Sequence, residues 1–120
     1  MANKDRLEEI FRRQKKFQLN FCNPEKDSFD TKLAITKEYV FCMVKECTEV
    51  LDTISWKIHR SKEKKIDEVH YLEELIDVQK YLLNLLIVWG ITPSEFYKEF
   101  NKKSNVVEKR YESERTKSNI

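Results

Sequence analysis

In 120 residues the chain carries one glycine, Gly90, and two prolines, Pro24 and Pro93. A sheet protein needs many tight turns, and glycine and proline supply most of them. With so few breakers and abundant Lys, Glu, Leu and Ile, the chain is set for long helices. The expected fold class is all-α. Apolar residues at helical spacing predict a first helix over 4–19, with Leu7, Ile10, Phe11, Gln14 and Phe17 along one face. Asn23-Pro24 marks a turn. A second helix is expected over 31–59, then a polar connection through "HRSKEKK", then a third helix over 66–89. Gly90 fits the C-terminal cap of the third helix. Thr92-Pro93-Ser94-Glu95 then offers a capping threonine, a proline at the first helical position and the glutamate of a capping box. The fourth helix begins there. The domain is expected over 1–112, with 113–120 a frayed tail.

Charge excludes some functions. Charged residues make up 37% of the chain, yet the net charge is only +2. The average field therefore does not suit nucleic acid, and the basic stretches 62–65 and 98–110 lack interleaved aromatics. No run reaches the roughly 18 apolar residues of a membrane span, and the charged N-terminus is unlike a signal peptide. Cys22, Cys42 and Cys47 are odd in number and lack metal-type spacing, which reads as reduced thiols in a cytoplasmic protein. Cys42 and Cys47 are expected to fill the core.

Two acidic pairs sit within apolar helix faces: Glu46-x-x-Glu49 on the second helix and Glu74-x-x-Asp77 on the third. At ~100° per residue, Glu46 falls in the middle of the arc formed by Tyr39, Cys42, Met43, Val50 and Ile54, with Glu49 at its edge. Glu74 is flanked by Val78, Tyr81 and Leu85, and Asp77 lies at that edge with Asn84 and Val88. Three-residue spacing places both acids of a pair on adjacent turns of one face. Any Glu-rich helix produces such pairs by chance on a wet face. Two pairs in apolar surroundings on consecutive helices are a different matter, because burial makes salt bridging alone a poor use of four acids. Antiparallel packing would bring them together as oxygen donors for a hard cation such as Mg²⁺, and so for phosphate chemistry.

The order helix–ExxE–connection–ExxD–helix resembles the all-α nucleoside triphosphate pyrophosphohydrolases, the superfamily of MazG and the dimeric dUTPases. "KECTEVLDTISWKIHR" is similar to the dUTPase-like form, with a Trp-Lys step after the ExxE helix. "EELIDVQKYLLNLLIVWGITPSEFYKEF" resembles the ExxD helix with its glycine stop and proline restart, and "KKSNVVEKRYE" the basic terminal segment. The resemblance covers roughly 7–112. It implies a bundle of four to five helices assembled as a homodimer or tetramer. The implied reaction is cleavage between the α and β phosphates of a nucleoside triphosphate, with dUTP or another pyrimidine deoxynucleotide as substrate.

Carried over by position, Glu46, Glu49, Glu74 and Asp77 would hold Mg²⁺, with Mn²⁺ as a substitute. Glu49, or Glu46, would also activate the attacking water. Lys57, Lys103 and Arg110 are candidates for the phosphates, and Gln14, Asn84 and Trp56 for the base, since an amide offers both donor and acceptor. For each of these the bland alternatives are a solvated cation, a helix–helix hydrogen bond or a packed ring. The histidines, His59 and His70, receive no catalytic role. The chain departs from dimeric dUTPases at Val78-Gln79-Lys80, where an aromatic-His step is usual, and in its terminal signature, which is only partly present. These departures bear on base choice more than on hydrolysis. A separate observation points to assembly: "YLLNLLIVW" is apolar nearly all round and needs cover on two sides. The alternative function is a non-catalytic helical interaction or antitoxin-like module.

Overall fold

The computed structural model describes residues 5–56 and 65–118. It contains four helices in the order α1 (Arg6–Gln18), α2 (Phe29–Leu51), α3 (Glu68–Val88) and α4 (Pro93–Ser118), with no strand among the described residues. Each start has a chemical cause. Asp5 accepts from the amides of Leu7 and Glu8, Ser28 from Thr31, and Asp67 from His70. Thr92 and Glu95 form the expected capping box, with Glu95 N–H donating to Thr92 Oγ1 at 3.1 Å and Thr92 N–H to Glu95 Oε2 at 3.4 Å. Gly90 ends α3 at φ 69°, the left-handed conformation that favours glycine.

Two boundaries differ from expectation. The second helix stops at Leu51, not near residue 59. Thr53 Oγ1 donates to the Val50 carbonyl, and the chain then extends so that Ile54 bridges antiparallel to Ile66. The β-branched Thr53 and Ile54 favour that extended turn-off over another helical turn. At the other end, α4 continues past residue 112 through Ser118, where fraying was expected, with Arg115 and Lys117 in the last turn, where the helix dipole favours cations.

The chain divides into two compact units, Met1–Gly90 and Ile91–Ile120. In the first, α2 packs antiparallel along α3, and α1 lies on α3. The start of α2 is tied to the end of α3: Trp89 Nε1 donates to Thr36 Oγ1 at 2.8 Å, and Phe29 meets the Trp89 ring edge-on at 5.6 Å. Farther along, Tyr39 and Tyr81 meet edge-on at 5.8 Å. The buried apolar set is small: Phe11, Cys22, Leu83, Ile87 and Val88. Residues 81–89, expected to lack cover within one chain, are in fact the best covered part of α3, with Leu83, Asn84, Ile87 and Val88 buried against α1 and α2. The uncovered apolar surface lies elsewhere. On α2, Leu33, Val40, Val44 and Leu51 form one exposed stripe. Cys22 is buried as a thiol, but Cys42 is half-buried and Cys47 exposed, so Cys47 does not fill the core. No single described helix is long and apolar enough to cross a membrane.

Candidate metal centre and adjoining cavity

The antiparallel register of α2 and α3 sets the acids against one another midway along the pair. One carboxylate oxygen from each of Glu46, Glu74 and Asp77 lies within 4.8 Å of the others. Ligands of Mg²⁺ at roughly 2.0–2.1 Å stand up to about 4 Å apart across the ion, so a slight closure completes this trio around a small cation. Glu49 is beside the trio but turned partly outward, with Lys45 Nζ 3.3 Å from its Oε1.

Electrostatics set these acids apart from ordinary surface carboxylates. Glu46 Oε2 and Glu74 Oε2 are buried and find no hydrogen-bond partner. Orphaned buried acceptors are costly, and a cation is one remedy. Burial pushes Glu46 above the usual carboxylate range, helped by its hydrogen bond to Glu49 and by the charges of Glu49, Asp77 and Glu74. Burial raises Glu74 too, with the Glu49 charge next. Glu49 moves down, because the Glu46 carboxyl donates to it and Lys45 adds a second hydrogen bond. Without metal, then, the shared proton of the pair is favoured on Glu46 over Glu49. The donors are all hard carboxylate oxygens, and the orphaned atoms point to a missing positive charge, so these residues fit Mg²⁺.

On the Glu46–Asp77 side the trio opens into a cavity of about 410 Å³. Gln14 and Asn84, both buried, line it, and Gln14 Nε2 donates to Asn84 Oδ1 at 2.8 Å. That bond leaves the Gln14 carbonyl oxygen and the Asn84 amide hydrogens for a ligand edge. Tyr39 and Tyr81 form an aromatic wall, and the Tyr39 hydroxyl donates to Gln18 Oε1 at 2.7 Å. Its pKa is pushed up to about 12, first by burial and then by neighbouring charges. Lys80 also lines the cavity, at one of the positions where the sequence departs from dimeric dUTPases.

The remaining sequence candidates are spread differently. Trp56 is exposed and does not line this cavity. Lys57 and His59 lie outside the described residues. Lys103 and Arg110 belong to the second unit, on α4, seven positions apart on one side of the helix. Sequence reasoning missed Gln18, which follows Gln14 by one helical turn and so shares its face, and it used Tyr39 and Tyr81 only as apolar neighbours of the acids.

A cation site of hard carboxylates opening directly into an amide-and-aromatic cavity suits a nucleotide, with phosphates at the acids and base at the amides. The dUTPase family model matches residues 6–118, nearly the whole chain. The chain belongs to the dUTPase family. It is therefore a nucleotide pyrophosphohydrolase of the all-α superfamily. No curated protein and no solved structure matches it.

Proposed function

We propose that this chain hydrolyses dUTP, or another pyrimidine deoxynucleoside triphosphate, to the monophosphate and pyrophosphate, using Mg²⁺ held by Glu46, Glu49, Glu74 and Asp77. The observation that carries this reading is the carboxylate trio with its two orphaned oxygens, set at the mouth of a cavity walled by Gln14, Asn84, Tyr39 and Tyr81. The bound metal would supply positive charge against the phosphate oxygens and acidify a water. The chain's own residues position and transfer the proton. Glu49, held low in the metal-free chain by Glu46 and Lys45, is the carboxylate assigned to orient or deprotonate the attacking water. The Gln14 oxygen and the Asn84 amide meet the donor–acceptor edge of a pyrimidine, and the tyrosines exclude water beside it. Lys57, Lys103 and Arg110 are the cations assigned to the phosphates.

We assign the active form to a homodimer or tetramer. Besides the α2 stripe, Tyr97, Phe100, Val107 and Tyr111 lie exposed at heptad-like spacing on α4. So much uncovered apolar surface on a chain of this size calls for a second copy. The free thiols suit a cytoplasmic setting.

Pyrophosphate release from dUTP, dCTP, dTTP and UTP with Mg²⁺ tests the reading. Turnover is expected on at least one pyrimidine deoxynucleotide, and none after Glu46→Gln. An inert wild type across the panel would remove the enzyme reading and leave a helical interaction module.

A further inference from the structure

The carboxylates have a second side. Whereas Glu46 and Asp77 face the amide-and-aromatic cavity, Glu49 and Glu74 line a separate cavity of about 330 Å³ on the side of the α2 C-terminus and the α3 N-terminus. Its character is the reverse of the first: no Phe, Tyr or Trp, and Lys45, Asp52, Thr53, Asp67 and His70 as the other walls. Asp67 caps α3 and holds the His70 ring through Nδ1. An ionised carboxylate only accepts, so Nδ1 carries the hydrogen, and the carboxylate favours the doubly protonated imidazolium, whose Nε2–H is a second donor.

We infer that this polar cavity receives the pyrophosphate end of the substrate, with Lys45 and His70 as its contacts and Asp67 as the residue that positions His70. The inference rests on the nucleotide reading above and gives the substrate a direction. A triphosphate nucleotide has one aromatic end and one anionic end, and the acids lie between one cavity of each kind. With the nucleoside in the amide cavity, the α-phosphate sits at the carboxylates and the leaving group points toward Lys45 and His70. Two cations already paired with Glu49 and Asp67 in an acid-lined cavity will not hold free pyrophosphate against repulsion. They will hold it once Mg²⁺ neutralises Glu49 and Glu74, because Lys45 is then released from Glu49 to the phosphate oxygens. Binding is thus ordered, with metal first.

Calorimetric titration of the full chain with inorganic pyrophosphate tests this. Wild type should bind with Mg²⁺ and not in chelator. His70→Gln and Lys45→Gln should each weaken Mg–pyrophosphate by about tenfold, the scale of one lost hydrogen bond to a charged group, while dUMP affinity changes less than twofold. Asp67→Ser keeps a capping oxygen but frees the imidazole, and should behave like His70→Gln. Unchanged pyrophosphate affinity in both cation variants, or equal losses for pyrophosphate and dUMP, would overturn the inference. So would a wild type that hydrolyses nucleotides but ignores Mg–pyrophosphate, and that result leaves the proposed function standing. A wild type that hydrolyses none overturns both.

Discussion

Gln14 on α1 and Asn84 on α3 are buried against each other and joined by a 2.8 Å hydrogen bond, seventy positions apart in the chain. The pair attaches α1 to α3 at the edge of the amide-and-aromatic cavity, and it leaves the Gln14 oxygen and the Asn84 amide hydrogens over. Truncating one partner orphans the other in a dry setting. Asn84→Leu or Gln14→Leu alone should destabilise the fold by about 1–3 kcal/mol. The double variant should recover much of that loss in denaturant titration, while base affinity falls in all three. Additive losses would show that the two amides do not act as a pair.

The carboxylates should oppose the metal-free fold. Glu46 and Glu74 are raised in the folded chain, so folding takes up protons across the carboxylate range. Stability of the metal-free protein should therefore decline as pH rises from 4.5, their ordinary value, through the raised values, and level off above them. Mg²⁺ should reverse the decline by binding the ionised form. Glu46→Gln should melt higher than wild type in chelator and lose the Mg²⁺-dependent rise. A variant that melts lower in chelator would mean that Glu46 stabilises the fold in its own right.

His70 and Asp67 give a pH signature of opposite sign. His70 is raised, first by its hydrogen bond to Asp67, so its contribution is complete below its ordinary 6.5 and is lost as pH climbs through the raised value. Asp67 is lowered, again first by that hydrogen bond, so its contribution is complete above its ordinary 3.8 and is lost as pH falls through the lowered value. The stability difference between wild type and His70→Gln should be widest between those two pH values in thermal melts. A difference flat with pH would mean that the pair does not titrate as a unit.

Assembly should depend on the α2 stripe. Val44 is 55% exposed in the middle of it, and a carboxylate there would be buried in any helix-to-helix interface. Val44→Glu should shift the sedimentation coefficient to a smaller species with helicity retained. A wild type that already sediments as a monomer would refute the dimer.

The all-α class, the four helix starts to within two residues and the two acidic pairs were legible from local signals. Caps act over three residues, and the helical period places Glu46 and Glu74 among apolar neighbours whatever lies opposite. The end of α2 was only weakly marked: no Gly or Pro follows Leu51, Thr53 and Ile54 merely lean toward extended structure, and the Ile54–Ile66 bridge that competes with the helix depends on a residue twelve positions away. Gln14 and Asn84 could be suspected singly from the cost of burying an amide, but their partnership could not. The Asp67–His70 pair is local, but its place in one cavity with Glu49 of α2 was not legible along either helix.

The sequence by itself determined that the chain forms four helices in this order, where α4 begins, and that four acids share faces with apolar residues, because periodicity and capping are short-range. Only the tertiary structure decided that Glu46, Glu74 and Asp77 converge while Glu49 leans to Lys45, and that the carboxylates separate an aromatic cavity from a polar one. Those facts follow from the antiparallel register of α2 on α3, and register is set by side chains meeting across the interface, Tyr39 with Tyr81 and Thr36 with Trp89. No local pattern along either helix encodes it.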